Sequence, residues 1–218
     1  KKCSLAMAIG LATTVVAPSQ AYDASDMILR LGPATVDPRE DSDAIVLPDD
    51  RLPGGVGVDS DTQLGITFVY FLNDDWGIEV LAATPYEHTI ELRDAPVTVG
   101  TTKHLPPTVA LQYYPLDANS RWQPYVGLGV NYTAFFSEDV DSELNTALDT
   151  LVGLEPGTAD ADLELDDSVG LATQIGVDYE IDERWLVNAS VWWVDIDTEA
   201  TVSLDNLDYE TSFDVEID

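Results

Sequence analysis

The chain has 218 residues with 41 Asp and Glu against 9 Lys and Arg, which gives a formal net charge of -32 and a pI of about 4.1. Proteins that neutralise nucleic-acid phosphates need a basic surface, so this balance excludes a nucleic-acid binder. At 45% hydrophobic residues, with 5 Trp, 9 Tyr and 5 Phe, the chain also holds too much buryable surface for an acidic disordered polymer.

The N-terminus has the order of a secretory signal: Lys1 and Lys2, a small and apolar run from Cys3 to Ala17, then small residues at Ser19 and Ala21. Residues 1–21 are assigned to a signal peptide and 22–218 to a single domain starting at Tyr22. Cys3 is the only cysteine, so the mature domain is expected to offer no thiol for a disulfide, a nucleophile or a sulfur-ligated metal. No later stretch is apolar for 18 residues, which argues against a helical membrane span. Strands of about 9 to 11 residues that alternate apolar and polar cross a bilayer without such a stretch.

Period-two alternation is the main signal along the rest of the chain. Residues 26–34 form a first, less regular strand. From position 62, Leu64, Ile66, Phe68 and Tyr70 alternate with Gln63, Gly65, Thr67 and Val69. Segments 76–84 and 103–114 are read as the third and fourth strands. From Tyr125, one face carries Val126, Leu128, Val130, Tyr132 and Ala134, the other Gly127, Gly129, Asn131 and Thr133. From Val169, Leu171, Ile175, Val177 and Tyr179 oppose Gly170, Ala172, Gln174, Gly176 and Asp178. From Trp185, Val187, Ala189, Val191 and Trp193 oppose Leu186, Asn188, Ser190, Trp192 and Val194.

In each of these strands the second face is small and polar rather than charged. A soluble sandwich, the competing architecture, hides its apolar faces and tends to show Lys, Glu and Arg to water. Here the small polar face suits a crowded interior and the apolar face suits lipid. The fold class read from this is all-β: an eight-stranded antiparallel transmembrane β-barrel with short periplasmic turns at 73–75, 115–121 and 182–184. Long acidic outer loops are expected at 37–61, 86–102, 137–168 and 200–209, with a short amphipathic helix in 137–151. Segment 209–218 reads as the start of an eighth strand, and closure requires about ten further residues to complete it.

Several strings also resemble the outer-membrane protein W (OmpW) family in order and spacing: Thr62-Gln63-Leu64-Gly65-Ile66-Thr67-Phe68, Leu81-Ala82-Ala83-Thr84-Pro85, His104-Leu105-Pro106-Pro107-Thr108, Pro124-Tyr125-Val126-Gly127, Asn131-Tyr132-Thr133, Gly176-Val177-Asp178-Tyr179 and Trp185-Leu186-Val187-Asn188. The resemblance implies an eight-stranded barrel in the outer membrane of a Gram-negative bacterium and passive uptake of small hydrophobic compounds through a narrow apolar channel. It also implies that Leu81 and Trp192 close the bottom of that channel. The chain departs from the family in lacking the expected final strand with its terminal aromatic residue, and in having more acidic outer loops.

An eight-stranded barrel is just wide enough for side chains to fill. Inward Arg30, Gln63, Glu79, Gln174, Asp178 and Asn188 are therefore expected to form a hydrogen-bonded plug in the periplasmic half. Above it, Leu81, Ala83, Trp192, Val194 and Phe135 are expected to line an apolar pocket; for Trp192, plain packing inside a filled barrel is the alternative. Pro85, Pro106 and Pro107 cannot donate to a ladder. They mark either strand ends in solvent or a weakened lateral seam. His88 and His104 lack further zinc ligands and read as polar strand-end residues. Asp160, Asp162, Glu164, Asp166 and Asp167 lack an EF-hand order and read as solvated loop charge with at most weak divalent-cation binding. No catalytic constellation, phosphate loop or cofactor motif is present, so neither an enzyme nor a cofactor is expected. The expected partners are outer-membrane lipid, lipopolysaccharide and small hydrophobic ligands. A structural or receptor barrel displaying acidic loops to a phage, colicin or host surface is the alternative function. Segments 37–61, 86–103, 137–168 and 195–218 together carry 31 acidic residues and 4 basic ones, so the charge is expected on the extracellular rim.

Overall fold

The computed structural model describes residues 12–13, 22–42, 45–46, 51–52, 55–93, 97–152, 155–204 and 209–217. The principal strands are β1 (Met27–Val36), β2 (Asp61–Asn73), β3 (Trp76–Ala83), β4 (Tyr86–Leu92), β5 (Thr98–Leu105) and β6 (Thr108–Tyr113). They continue with β7 (Trp122–Val140), β8 (Ser168–Asp182), β9 (Trp185–Val194), β10 (Ile196–Leu204) and β11 (Tyr209–Ile217). The barrel wall is an antiparallel meander, β1-β2-β3-β6-β7-β8-β9. Its lower turns are short, joining Asn73 to Trp76, Tyr113 to Trp122 and Asp182 to Trp185.

Burial follows the predicted inversion. Val169, Leu171 and Leu128 are 70%, 61% and 61% exposed, whereas Glu79, Gln112, Asn131 and Asp178 are at most 1% exposed. Contiguous apolar surface of this extent does not face water on a soluble monomer. It is the lipid belt of a transmembrane barrel, with polar groups turned inward. At the turn end of the belt, Trp76 packs on Tyr113 and Trp122 on Tyr179, with ring centroids 4.8 and 4.7 Å apart. Along β7 the exposed apolar row ends at Tyr132, which sets the upper edge.

The inward glycines make room for larger neighbours. A Cβ on Gly127 would lie 2.5 Å from the Gln174 side chain, and one on Gly176 would lie 2.4 Å from the Tyr125 ring. Gly176→Ala is therefore expected to displace that ring, costing about 1–3 kcal/mol by overpacking. The check is a lower urea midpoint for the variant in lipid nanodiscs, with a Gly157→Ala control, whose Cβ meets nothing within 4 Å but carries the strain of a positive φ.

Above the belt the strands continue into an extracellular storey. β5 pairs with the top of β7 and with β4, and β4 pairs with Val56–Val58. On the other side Ala161–Leu165, β10, β11 and Glu40–Ser42 form a four-stranded sheet. Its order puts β11 between the continuation of β9 and the chain following β1, the place of an eighth strand. Val56, Ile90, Val99, Leu163 and Leu204 build a second core here, with Leu144 and Leu148 of helix α1 (Ser142–Val152). Asp141 caps that helix, accepting the Glu143 N–H at 2.8 Å.

Two expectations change. Within segment 86–102, Tyr86–Leu92 and the residues from Thr98 onward are strand rather than loop, β4 and β5 pairing as a hairpin above the membrane. The strand read at 103–114 is two strands, because Pro106 and Pro107 cannot extend the ladder. Within the stretch read as a signal, Ala12 and Thr13 pair with Asn188 and Val187 on the free edge of β9. An open edge offers unpaired N–H and C=O groups to any extended segment; the rest of 1–21 lies outside the described residues.

Candidate functional site

Arg30, projecting inward from β1, organises the lower interior. Its Nε and Nη2 donate to the two Asp178 carboxylate oxygens at 3.1 and 2.5 Å, and Nη1 donates to Glu79 at 3.0 Å. Nη2 also donates to the Tyr114 hydroxyl at 2.9 Å, and the guanidinium lies over the Tyr125 ring, 5.1 Å from its centroid. The second Glu79 oxygen accepts from Gln112 and Gln174 at 2.7 and 2.6 Å. Asp178 accepts further bonds from Asn188 at 2.7 Å and from Tyr22 at 3.1 Å. One fork-shaped cation thus ties two buried carboxylates on opposite walls, and amides and phenols take the remaining lone pairs. Below, the Tyr22, Phe71 and Tyr114 rings pack against one another, Tyr22 on Phe71 edge to face and the other two pairs tilted, at centroid distances of 5.1–5.4 Å. The periplasmic half is filled twice over, by ionic hydrogen bonds and then by aromatic rings.

Above the plug, Trp192 packs with Ala110 and Ala172, and Leu81 and Val194 lean against them. This group floors a cavity of about 120 Å³ whose walls include Leu81, Trp192, Val194, Tyr86, His104 and Pro106. A smaller cavity of about 50 Å³ follows in the extracellular storey, with Val36, Pro38, His104 and Ile196 shared between the two.

Of the residues singled out by sequence, Arg30, Glu79, Gln174, Asp178 and Asn188 meet in one network. Gln63 does not join them. It pairs with Ala34 near the top of β2 and bonds Asp61 and Thr84 at 2.8 and 2.9 Å. Leu81, Trp192 and Val194 line the lower cavity, whereas Phe135 lines the upper one. Ala83 is half-buried opposite Gly65 and lines neither. His104 lies next to the end of β5, as expected, whereas His88 lies inside β4. His88 and His104 are 2% and 5% exposed and stack with centroids 4.9 Å apart. Asp160, Asp162, Glu164, Asp166 and Asp167 all face outward around the strand Ala161–Leu165.

The prolines fall at one height on adjacent strands. Ladder pairing of β3 with β6 stops at Leu81 and Thr108, and pairing resumes between β4 and β5 at Tyr86 and His104. Among the described residues, 82–85 and 105–107 have no ladder partners across this seam. On their other sides both strands stay attached, Thr84 N–H donating to Leu64 and Tyr132 N–H to the Pro107 carbonyl, each at 3.0 Å. Leu81, Tyr86, His104, Pro106 and Thr108, which border the interruption, all line the lower cavity.

Comparison with known proteins gives the lineage of this arrangement. The OmpW family model matches residues 23–218. The chain belongs to the OmpW family. It is 42% identical to outer membrane protein W of Escherichia coli (strain K12) over 94% of this chain and 88% of the relative. It is also 42% identical to outer membrane protein W of Vibrio cholerae serotype O1, over 91% and 85%. Among solved structures, the crystal structure of OprG from Pseudomonas aeruginosa superposes with a TM-score of 0.79 at 43% identity, covering 91% of this chain and 92% of that one. The protein is accordingly a bacterial outer-membrane β-barrel of the OmpW family.

Sequence reasoning missed four members of this OmpW-family plug: Tyr22, Gln112, Tyr114 and Tyr125. Tyr125 lay on the face read as inward, and restarting the alternation after Pro107 puts Thr108, Ala110, Gln112 and Tyr114 on one side. Tyr22 precedes the first strand and carries no periodic signal.

Proposed function

We propose that the protein is an outer-membrane channel for the passive uptake of small hydrophobic molecules, which enter the apolar cavity from outside and leave sideways into the bilayer. The observation that supports this reading is the cavity floored by Leu81 and Trp192, which ends on the Arg30 network and borders the interrupted ladder. Descending further would require parting buried, charge-assisted hydrogen bonds and then an aromatic layer. Sideways exit exchanges one apolar environment for another, and the seam between Leu81–Thr108 and Tyr86–His104 has no ladder bonds to break. The acidic rim belongs to this reading as a hydrated surface that divalent cations bridge to neighbouring lipopolysaccharide. The alternative, a barrel that displays its loops without transport, draws on the packed lower half and requires no uptake above that of protein-free vesicles.

The test is uptake of n-octane by proteoliposomes with lipopolysaccharide in the outer leaflet. Leu81→Ala combined with Trp192→Ala removes the bulk at the floor and is expected to raise the rate about tenfold, equivalent to roughly 1.4 kcal/mol in the barrier. Unchanged uptake by a variant that keeps its heat-modifiable gel migration would refute the gate, and wild-type uptake no faster than that of empty vesicles would refute the channel.

A further inference from the structure

The upper cavity is lined by Val36, Val58, Ile90, Val99, Phe135 and Leu163, and by four polar side chains; the Thr198 hydroxyl is already bonded to the Asp166 carbonyl at 2.7 Å, which leaves His88, Thr102 and His104. They are 2%, 4% and 5% exposed. Thr102 lies directly across from His88 in the β4–β5 ladder, and the His104 ring stacks on that of His88, tilted by 11°. His88 Nε2, Thr102 Oγ1 and both ring nitrogens of His104 find no hydrogen-bond partner among the described residues. A buried polar group without a partner costs about 1–3 kcal/mol. Four such atoms beside an otherwise apolar cavity are the complement of a ligand with one polar end.

The chemistry of that end follows from the donors and acceptors. His88 Nδ1 lies 2.6 Å from the Asp59 carbonyl. A carbonyl only accepts, so in the neutral ring the proton sits on Nδ1 and Nε2 is left as an acceptor. Thr102 and the N–H of His104 supply donors. A hydroxyl, which donates once and accepts twice, meets three of the four atoms, leaving only the acceptor nitrogen of His104. A carboxylate would leave the acceptor at His88 unmet and would have to pass the acidic rim. Burial also keeps His104 uncharged, its pKa pushed down to about 3, so that ring offers no cation to hold an anion. The adjoining cavity of about 120 Å³ compares with the roughly 150 Å³ apolar cavity that takes up benzene, which sets a tail of about six carbons.

Building on the uptake reading, we propose that His88, Thr102 and His104 form a head-group site for small neutral alcohols, the hydroxyl bonded to these three side chains and the tail lying in the apolar cavity below.

The experiment uses the full chain in lipid nanodiscs with ¹⁵N-histidine labelling, titrated with 1-hexanol and, separately, n-hexane. Hexanol is expected to shift the ring nitrogens of His88 and His104 saturably, and hexane to leave them in place. Thr102→Val and His104→Phe, which keep shape and pairing, are each expected to weaken hexanol binding about tenfold, or 1.4 kcal/mol, without changing hexane binding measured by saturation transfer. Equal ring-nitrogen shifts from hexanol and hexane, or full hexanol affinity in Thr102→Val, would overturn the site while leaving octane uptake untouched. Conversely, selective hexanol binding in a protein that takes up no octane would retain the site and remove the channel.

Discussion

Replacing Arg30 with Met is expected to lower the stability of the barrel by about 3–5 kcal/mol, the cost of leaving a buried charge without its partner. The loss exceeds that of a surface ion pair because the Asp178 and Glu79 carboxylates lie in the filled interior, where no water reaches them to replace the guanidinium. Lysine is not an adequate substitute. It carries the charge but lacks the planar fork that spans both Asp178 oxygens and Glu79 at once. The measurement is urea unfolding in nanodiscs followed by tryptophan fluorescence, with the temperature of heat-modifiable migration as a second reading. Arg30→Met should fall furthest and Arg30→Lys between it and the wild type. Arg30→Met with Glu79→Gln and Asp178→Asn should recover much of the loss, since the stranded charges are gone. A single variant as stable as the wild type would show that the network is ornamental.

Acidification is expected to loosen the extracellular storey while the membrane belt holds. His104 stands above the prolines and opposite Phe135. Burial, and then the neighbouring His88, push its pKa from 6.5 down to about 3, with Asp61 acting in the opposite sense. Other titratable groups close by are Tyr86, stacked on His104 and raised to about 12 by burial, and the exposed Lys103–Glu87 pair. The sign follows from linkage: a histidine buried neutral takes up its proton only when the segment opens, so the open state gains protons below pH 6.5. Stability from this residue is complete above pH 6.5 and falls as the pH drops towards 3, by up to about 1.4 kcal/mol per pH unit. Amide exchange within β5, corrected for its intrinsic pH dependence, should therefore reveal an opening equilibrium that grows by up to about tenfold per unit. His104→Phe should flatten the profile, and an equally steep one in that variant would assign the effect elsewhere.

The legible parts of this fold are those where period two meets no interruption. Strands beginning near Thr62, Tyr125, Val169 and Trp185 present the predicted faces because every second residue must point the same way. Inward Arg30, Glu79, Gln174, Asp178 and Asn188 were recoverable from phase alone. The upper storey was not, because its strands face water on one side and a small core on the other, so the charged alternation of β4 reads as loop. His88 and His104 lie 16 positions apart in sequence and meet because β4 and β5 pair as a hairpin, with His88 opposite Thr102 and His104 opposite Tyr86. Gln63 was misplaced in height rather than direction. Its face is inward, but a strand's phase carries no information about how far up the barrel a side chain sits, which depends on the register with its neighbour.

The outward-facing carboxylates of the extracellular storey, Asp160, Asp162, Glu164, Asp166 and Asp167 among them, bear on how the molecule behaves once it is in place. They stand on the far side of the lipid belt from the short turns, so they crossed the membrane during assembly. Returning them would mean carrying the same carboxylates back through hydrocarbon, each at a large desolvation cost. The barrel is therefore a one-way insert: its acidic crown works as a ratchet, and its sidedness is a permanent record of the direction in which it was assembled.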